Sequence, residues 1–457
     1  MPRGMLSQED RLRIQVTKLT TSVARLRSEN HELKLGIKQR DQKIAALEAR
    51  LQDKESQRRQ LLSYLYKPNK EEQTSKPLGK KLGSNGYHRP QPKPSEVTEQ
   101  KTYSLNQCPI CRHPVGKAVD TVVKYEEDIV LTPRKTVKEY TITRHWCGTC
   151  ETFVKAQDIP PISRIGIKVM GYILYARYRL RLPFKKIKQS LKDLHDFDIS
   201  EGEIQNELLK AQTLFGKDYE MIIEFVKTAD IVYADETGWR MNGQNWWLWV
   251  FVTEQGIRFV IDDSRGKGVP QDVLGNGNIN RILITDFYAA YHQIPGKKQK
   301  CWVHLLRDAK WIGGKLNDDL KHVYHELTLE LAKPKTARDS PRIRDQLYHI
   351  AQASYPEPEA RKLQNRITKY IDELLTCIQY EGVLPENNTA ERAIRPQVVM
   401  RKIFGGSRSL EGAQAHAVNT SVIATKLQQT PDFFSAILPL LEQRRKEQYE
   451  QATQRGE

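Results

Sequence analysis

"DIVYADETGWRMNGQNWWLWVFVTEQGIRFVIDDSRG", residues 230–266, is the stretch on which the fold turns. Apolar and aromatic residues fall in three blocks separated by turn residues, which predicts three strands. Asn242-Gly243 joins the first two blocks, and Asn-Gly is the strongest two-residue hairpin signal because both central positions of that turn need positive φ. Gly256 marks the turn into the third block. Downstream, "RILITD" (281–286) predicts a fourth strand. "FYAAYHQI" (287–294) predicts a short helix and "KKQKCWVHLL" (297–306) a fifth strand. Three antiparallel strands, then strands alternating with helices, imply a mixed α/β sheet flanked by helices.

Two carboxylates sit oddly in this pattern. Asp235 closes the apolar run Ile231, Val232, Tyr233, Ala234, and Asp286 closes Ile282, Leu283, Ile284. A carboxylate at a buried strand end is costly unless paired or metal-bound, so each is a candidate ligand. A plain strand terminator or helix cap is the structural alternative for either one alone. Glu236 follows Asp235 directly but points to the opposite sheet face, so only one of the pair lines a site.

A third carboxylate lies in "NNTAERAIRP", residues 387–396. Asn388 with Glu391 three residues on resembles a capping box. Arg392 and Arg395 crowd the same Glu, which suits a carboxylate working at a polyanion. Locally, cap and catalyst both stay open. Asp235, Asp286 and Glu391 are spaced by 51 (286 − 235) and 105 (391 − 286) residues. Phosphodiester chemistry by two Mg²⁺ ions needs a few such hard carboxylates, with the remaining positions left to water and phosphate.

The rest of the chain supplies a setting. Its 457 residues suggest two to four domains. A net charge of +17 and a pI near 9.4 point to a polyanionic partner, most economically nucleic acid. There is no apolar run of membrane-spanning length and no signal-peptide core, so an intracellular protein with no membrane partner is expected.

Residues 1–66 carry a heptad with Val16, Val23, Asn30, Ile37, Ile44 and Leu51 at a, and Leu12, Leu19, Leu26, Leu33 and Leu47 at d. β-Branched a positions with Leu at d favour a parallel two-stranded coil, and Asn30 would fix its register. Residues 67–102 hold five prolines and few apolar residues, which marks a basic linker. Cys108, Cys111, Cys147 and Cys150 form two CxxC pairs 35 residues apart, the ligand set of a structural Zn²⁺ site in a module over 103–157. Residues 158–228 read as helical, with a Ser200–Glu203 capping box opening the second of two Lys-rich helices. That pair fits either a DNA-reading helix-turn-helix or an ordinary helical hairpin.

"ADETGWR", "TDFYAAY", "CWVHLLRDAK" and "NNTAERAIRPQVVMRKIFGGSRSLEGA" together resemble the signature blocks of the insertion-sequence 66 family of bacterial DDE transposases. The order of coiled coil, four-Cys module and helical segment matches that family as well. The resemblance implies a ribonuclease-H-like catalytic core in two parts (229–315 and 381–440), interrupted by a helical insertion (316–380) and followed by a charged C-terminal tail (441–457). It places the catalytic, Mg²⁺- or Mn²⁺-binding triad on Asp235, Asp286 and Glu391. Cys301 and His304, from a C-x-x-H block, fall near it as support, with Arg392 and Arg395. Arg240, Arg401, Lys402 and Arg408 are candidate DNA contacts, and Trp239 is either a DNA contact or core.

The implied protein is a cytoplasmic, nucleoid-associated bacterial enzyme. It would be a homodimer through its coiled coil, bind double-stranded element ends and target, and draw on accessory proteins of the same element. It would free 3′-hydroxyls at those ends and join them to target DNA. The alternatives are a DNA-binding regulator without catalysis and a structure-specific nuclease of the same fold.

Overall fold

The computed structural model describes residues 8–65 and 159–454 continuously, and between them 91–102, 106–107, 110, 112–114, 123–125, 134–147, 149 and 151–155. The chain divides into two compact units, 1–127 and 128–457. The first carries helix α1 (Gln8–Leu65), 58 residues long. Its Val16, Leu19, Val23, Leu26, Leu33 and Ile37 are exposed along the heptad stripe. Of the expected zinc ligands, Cys108, Cys111 and Cys150 lie outside the described residues, as do residues 67–90 of the linker.

In the second unit, β1 (Arg144–Cys147) and β2 (Thr152–Lys155) form an antiparallel hairpin that sets Cys147 opposite Thr152. Four helices follow: α2 (Ile167–Leu174), running into a π-turn at Tyr175–Arg179, then α3 (Phe184–His195), α4 (Glu201–Leu214) and α5 (Gly216–Thr228). The capping box of α4 is complete. The Glu203 N–H donates to Ser200 Oγ at 3.1 Å, and the Ser200 N–H donates to Glu203 Oε2 at 3.0 Å. Lys185, Lys186, Lys188 and Lys192 of α3 face solvent, whereas α4 buries Ile204, Leu208 and Ala211.

The sheet comprises β3 (Ile231–Met241), β4 (Gln244–Val252), β5 (Ile257–Asp262), β6 (Ile282–Thr285) and β7 (Lys297–Lys300), in the spatial order β5-β4-β3-β6-β7. The first three strands are antiparallel, and β6 and β7 run parallel to β3. Asn242 and Gly243 both have positive φ, 46° and 80°, as the tight hairpin requires. One face of the sheet packs Val232, Ala234, Trp249 and Leu283 against α6 (Gly268–Leu274) and Tyr291.

The other face packs Trp239, Leu248 and Val250 against Ala390 and Ile394. It also sets Ile282 and Ile284 against a cluster of helices: α7 (Trp302–Ile312), α8 (Gly314–Leu331), α9 (Ser340–Gln352), α10 (Ala360–Leu374) and α11 (Thr376–Gln379). The chain then closes with α12 (Asn388–Phe404), α13 (Leu410–Gln429) and α14 (Phe433–Gln454). The edge strand β5 is covered by α13. Ile257 and Phe259 donate their N–H groups to Thr425 Oγ1 at 2.9 Å and Ser421 Oγ at 2.8 Å, so the edge is not left open for another strand.

Four expectations change. First, β3 does not end at Asp235 but continues to Met241, because residues 235–241 all have partners on β4. Second, the fifth strand stops at Lys300, and "WVHLL" opens α7, since Trp302, Leu305 and Ala309 share one helical face and are buried together. Third, the helix expected over 287–294 is only a 3₁₀ turn at Ala289–Tyr291. Fourth, most of the expected C-terminal tail is the second half of α14. There Leu441 is fully buried, and Arg444 grips the buried Asp218 with two bonds of 2.8 and 2.9 Å. Among the described residues no helix is long and apolar enough to cross a membrane.

Candidate catalytic site

The parallel pairing of β3 and β6 sets Ile231 opposite Ile282, Val232 opposite Leu283 and Tyr233 opposite Ile284. Carried two residues further, the same offset puts Asp286, just beyond β6, level with Asp235 on the same side of the sheet. Asp235 Oδ1 accepts the Glu236 N–H at 2.9 Å, and Asp286 Oδ1 accepts the Tyr288 N–H at 2.8 Å. Burial, helped by the negative charges of Glu236, Asp286 and Glu391, pushes the Asp235 carboxyl up to about 7.

Glu236 turns the other way, as the strand period requires. It is closed into a network with Arg265 at 2.9 Å and the Tyr291 hydroxyl at 2.6 Å. Burial, together with that carboxylate, holds the Tyr291 phenol well above its ordinary value, so Tyr291 donates to Glu236. This is a structural ion pair on the opposite face.

Glu391 arrives on the first turn of α12, but not through the expected capping box. The N-cap is Asn387, one residue earlier, and no side-chain capping bond is made. Glu391 is the fourth helical residue, its N–H bonded to the Asn387 carbonyl at 3.1 Å. The Asn387 side chain is used elsewhere, because it is fully buried and its Nδ2 donates to the Ala234 carbonyl at 2.8 Å. Its backbone N–H donates to Cys301 Sγ at 3.2 Å. One asparagine thus ties the residue before Asp235, the start of α7 and the turn bearing Glu391. Sequence reading passed over Asn387. Its only signal was the doubled Asn ahead of the acid.

Cys301 is the N-cap residue of α7, fully buried, with burial raising its thiol pKa. His304 lies one turn along, its Nδ1 3.6 Å from Glu391 Oε1, and Arg307, unforeseen from the sequence, places Nη2 4.0 Å from Oε2. Lys300 is buried behind Asp286, donating to its carbonyl at 3.0 Å, and burial lowers its ammonium pKa to about 8. It fixes the backbone at Asp286.

The expected basic residues divide. Arg240, Arg392, Arg395, Lys402 and Arg408 are exposed. Arg401 instead turns inward, its guanidinium bonded to the Gly238 carbonyl and Thr237 Oγ1. Trp239 is core, stacked on His416 at 5.0 Å and bonded through Nε1 to Ser407 Oγ at 3.2 Å. The loop after α12 reaches this strand closely. Gly406 has φ 110°, and a Cβ there would meet the Arg240 carbonyl oxygen at 2.3 Å. Only glycine fits that approach.

The donor chemistry of Asp235 and Asp286 suits a hard divalent cation, since both offer carboxylate oxygens and no soft donor. A family model described as Transposase IS66 family matches residues 163–415, more than half of the chain. Comparison with curated proteins gave no match. The matched span contains the whole five-stranded sheet, helices α7–α11 and all three acids. With that match, the mixed α/β core and the site it carries, the chain belongs to the IS66 family of transposases.

Proposed function

We propose that the protein is a DDE transposase that binds the inverted ends of an insertion sequence, hydrolyses a phosphodiester at each to free a 3′-hydroxyl, and joins these to target DNA. What supports this reading is the strand register that sets Asp235 level with Asp286 on one sheet face, together with Glu391 on the first turn of α12, whose N-cap residue Asn387 is tied to the Ala234 carbonyl next to Asp235. The sheet order, with three antiparallel strands followed by two parallel ones, fits a ribonuclease-H-like core. Asp235, Asp286 and Glu391 would hold a pair of Mg²⁺ or Mn²⁺ ions, which supply charge neutralisation and a nucleophile for in-line displacement at phosphorus. Asn387 and Lys300 keep the ligand-bearing backbone in place, and Arg307 stands where a phosphate oxygen near Glu391 would meet it.

Phosphate contacts fall to Arg392, Arg395, Lys402, Arg408 and Arg240, and to the Lys-rich face of α3; such contacts position DNA without reading sequence. The heptad stripe of α1 pairs two protomers, and with them two ends. Cys108, Cys111, Cys147 and Cys150 hold a structural Zn²⁺ in the end-binding region.

Purified full-length protein with Mg²⁺ should nick DNA carrying the element's inverted ends and join it to a target. Asp286→Asn should bind those ends normally but not cut them. Binding without metal-dependent cutting by the wild type would mark a regulator; cutting of DNA without the ends would mark a structure-specific nuclease.

A further inference from the structure

A second donor set of different chemistry includes Glu391. Cys301 Sγ, a ring nitrogen of His304 and a carboxylate oxygen of Glu391 lie within 4.8 Å of one another. His304 Nδ1 and Glu391 Oε1 are 3.6 Å apart, and each is buried without a hydrogen-bond partner. At 3.6 Å they are within ion-pair range but beyond a hydrogen bond, and buried polar atoms left without one are costly. Metal–ligand distances of about 2.0–2.3 Å around a tetrahedral ion put ligand atoms about 3.3–3.8 Å apart, which matches the observed edge.

We propose that Cys301, His304 and Glu391 form a binding site for a borderline-soft divalent cation of the zinc class, which shares Glu391 with the hard-cation site but uses different donors otherwise. Thiolate and imidazole select such a cation over Mg²⁺, which takes oxygen ligands. The donors are well supported. Cys301 and His304 are three residues apart at the start of α7, and Glu391 is on the first turn of α12. Cys301 Sγ already accepts the Asn387 N–H at 3.2 Å, a bond that orients the sulfur. On binding, the Cys301 thiol releases its proton to solvent and its sulfur becomes a ligand. Three protein ligands leave a fourth position for water.

The site draws on the carboxylate that the proposed catalysis needs. Zinc occupancy should therefore suppress magnesium-dependent cutting, a consequence that rests on the reading under Proposed function. The binding itself does not.

The test is titration of the metal-free, full-length protein with Co²⁺, following the thiolate-to-cobalt absorption and the number of equivalents bound. Wild type should bind one equivalent more than His304→Gln or Cys301→Ser, whereas Asp286→Asn should keep that equivalent. Equal stoichiometry and spectra in wild type and His304→Gln would overturn the proposal. His304 is only half-buried, so that variant decides the matter even if Cys301→Ser fails to fold. A protein that takes up the extra equivalent but never cuts DNA leaves this site standing and sinks the transposase mechanism. One that cuts but binds no extra equivalent does the reverse.

Discussion

Asp235 on β3 and Asp286 just past the end of β6 are 51 positions apart, the same offset as every registered pair from Ile231–Ile282 to Tyr233–Ile284, which sets the two acids level. Their spacing in sequence is therefore a consequence of sheet register. A one-residue slip would send one of the two to the opposite face, where Glu236 lies. From this placement and the contacts around it come five expectations.

Removing either aspartate should abolish metal-dependent cutting while sparing the fold. Thermal melts of Asp286→Asn should stay near wild type in chelator, but the upward shift in Tm that Mg²⁺ gives the wild type should be lost. A variant that still gains stability from Mg²⁺ and still cuts would remove Asp286 from the site.

Glu391→Gln should fold normally and be inactive. The helix cap is Asn387 and no side chain caps α12, so the change should alter stability by about 0.5 kcal/mol or less. A loss above about 1 kcal/mol would mean that the side chain supports the helix after all.

Asn387→Ala should be harmful on both counts. It removes the bond to the Ala234 carbonyl and leaves that buried acceptor unpaired, for a loss of about 2 kcal/mol. Because the same residue locates Glu391, cutting should fall by more than the loss of folded protein explains. Activity normalised to folded fraction measures this.

The Asp235 carboxyl titrates in the folded protein at about 7, above its unfolded value near 4. Between those values the folded state holds a proton that the unfolded chain has lost, so this group's contribution is fully present below about pH 4 and is lost as pH rises through 7. In chelator, Asp235→Asn should therefore be more stable than wild type at pH 8 by about 2 kcal/mol, after discounting for partial solvent screening, and the gap should shrink towards pH 5. Divalent metal should narrow it at pH 8. Urea melts at both pH values would falsify the assignment by showing a pH-independent difference.

Arg444→Ala tests whether α14 belongs to the folded body. The guanidinium holds Asp218, whose side chain is 2% exposed, while Arg444 itself is 14% exposed. Breaking the pair strands a buried carboxylate, and the loss should be about 2 kcal/mol, less than for a wholly buried pair. A neutral result would return the segment to the status of a solvated tail.

Local chemistry was legible in the sequence. The Asn242-Gly243 hairpin, the Ser200–Glu203 capping box and the strand preceding Asp286 each rest on neighbours within a few residues. The heptad of α1 was equally plain, being one helix with an apolar stripe. The order Asp235, Asp286, Glu391 was visible too, because a carboxylate after a buried strand is conspicuous.

What the sequence alone did not settle was decided by contacts across long separations. Asn387 rather than Asn388 takes the N-cap position of α12, and it makes no side-chain cap because its side chain is drawn to Ala234, 153 residues away. Arg401 faces inward because Gly238 and Thr237 on β3 offer it acceptors. Cys301 follows a strand and caps a helix because Trp302 is buried in the core that α7–α11 share. A residue's neighbours along the chain determine its backbone preference. Which polar atom its side chain can reach exists only once the sheet has brought distant segments together, and the candidate site is made of such reaches.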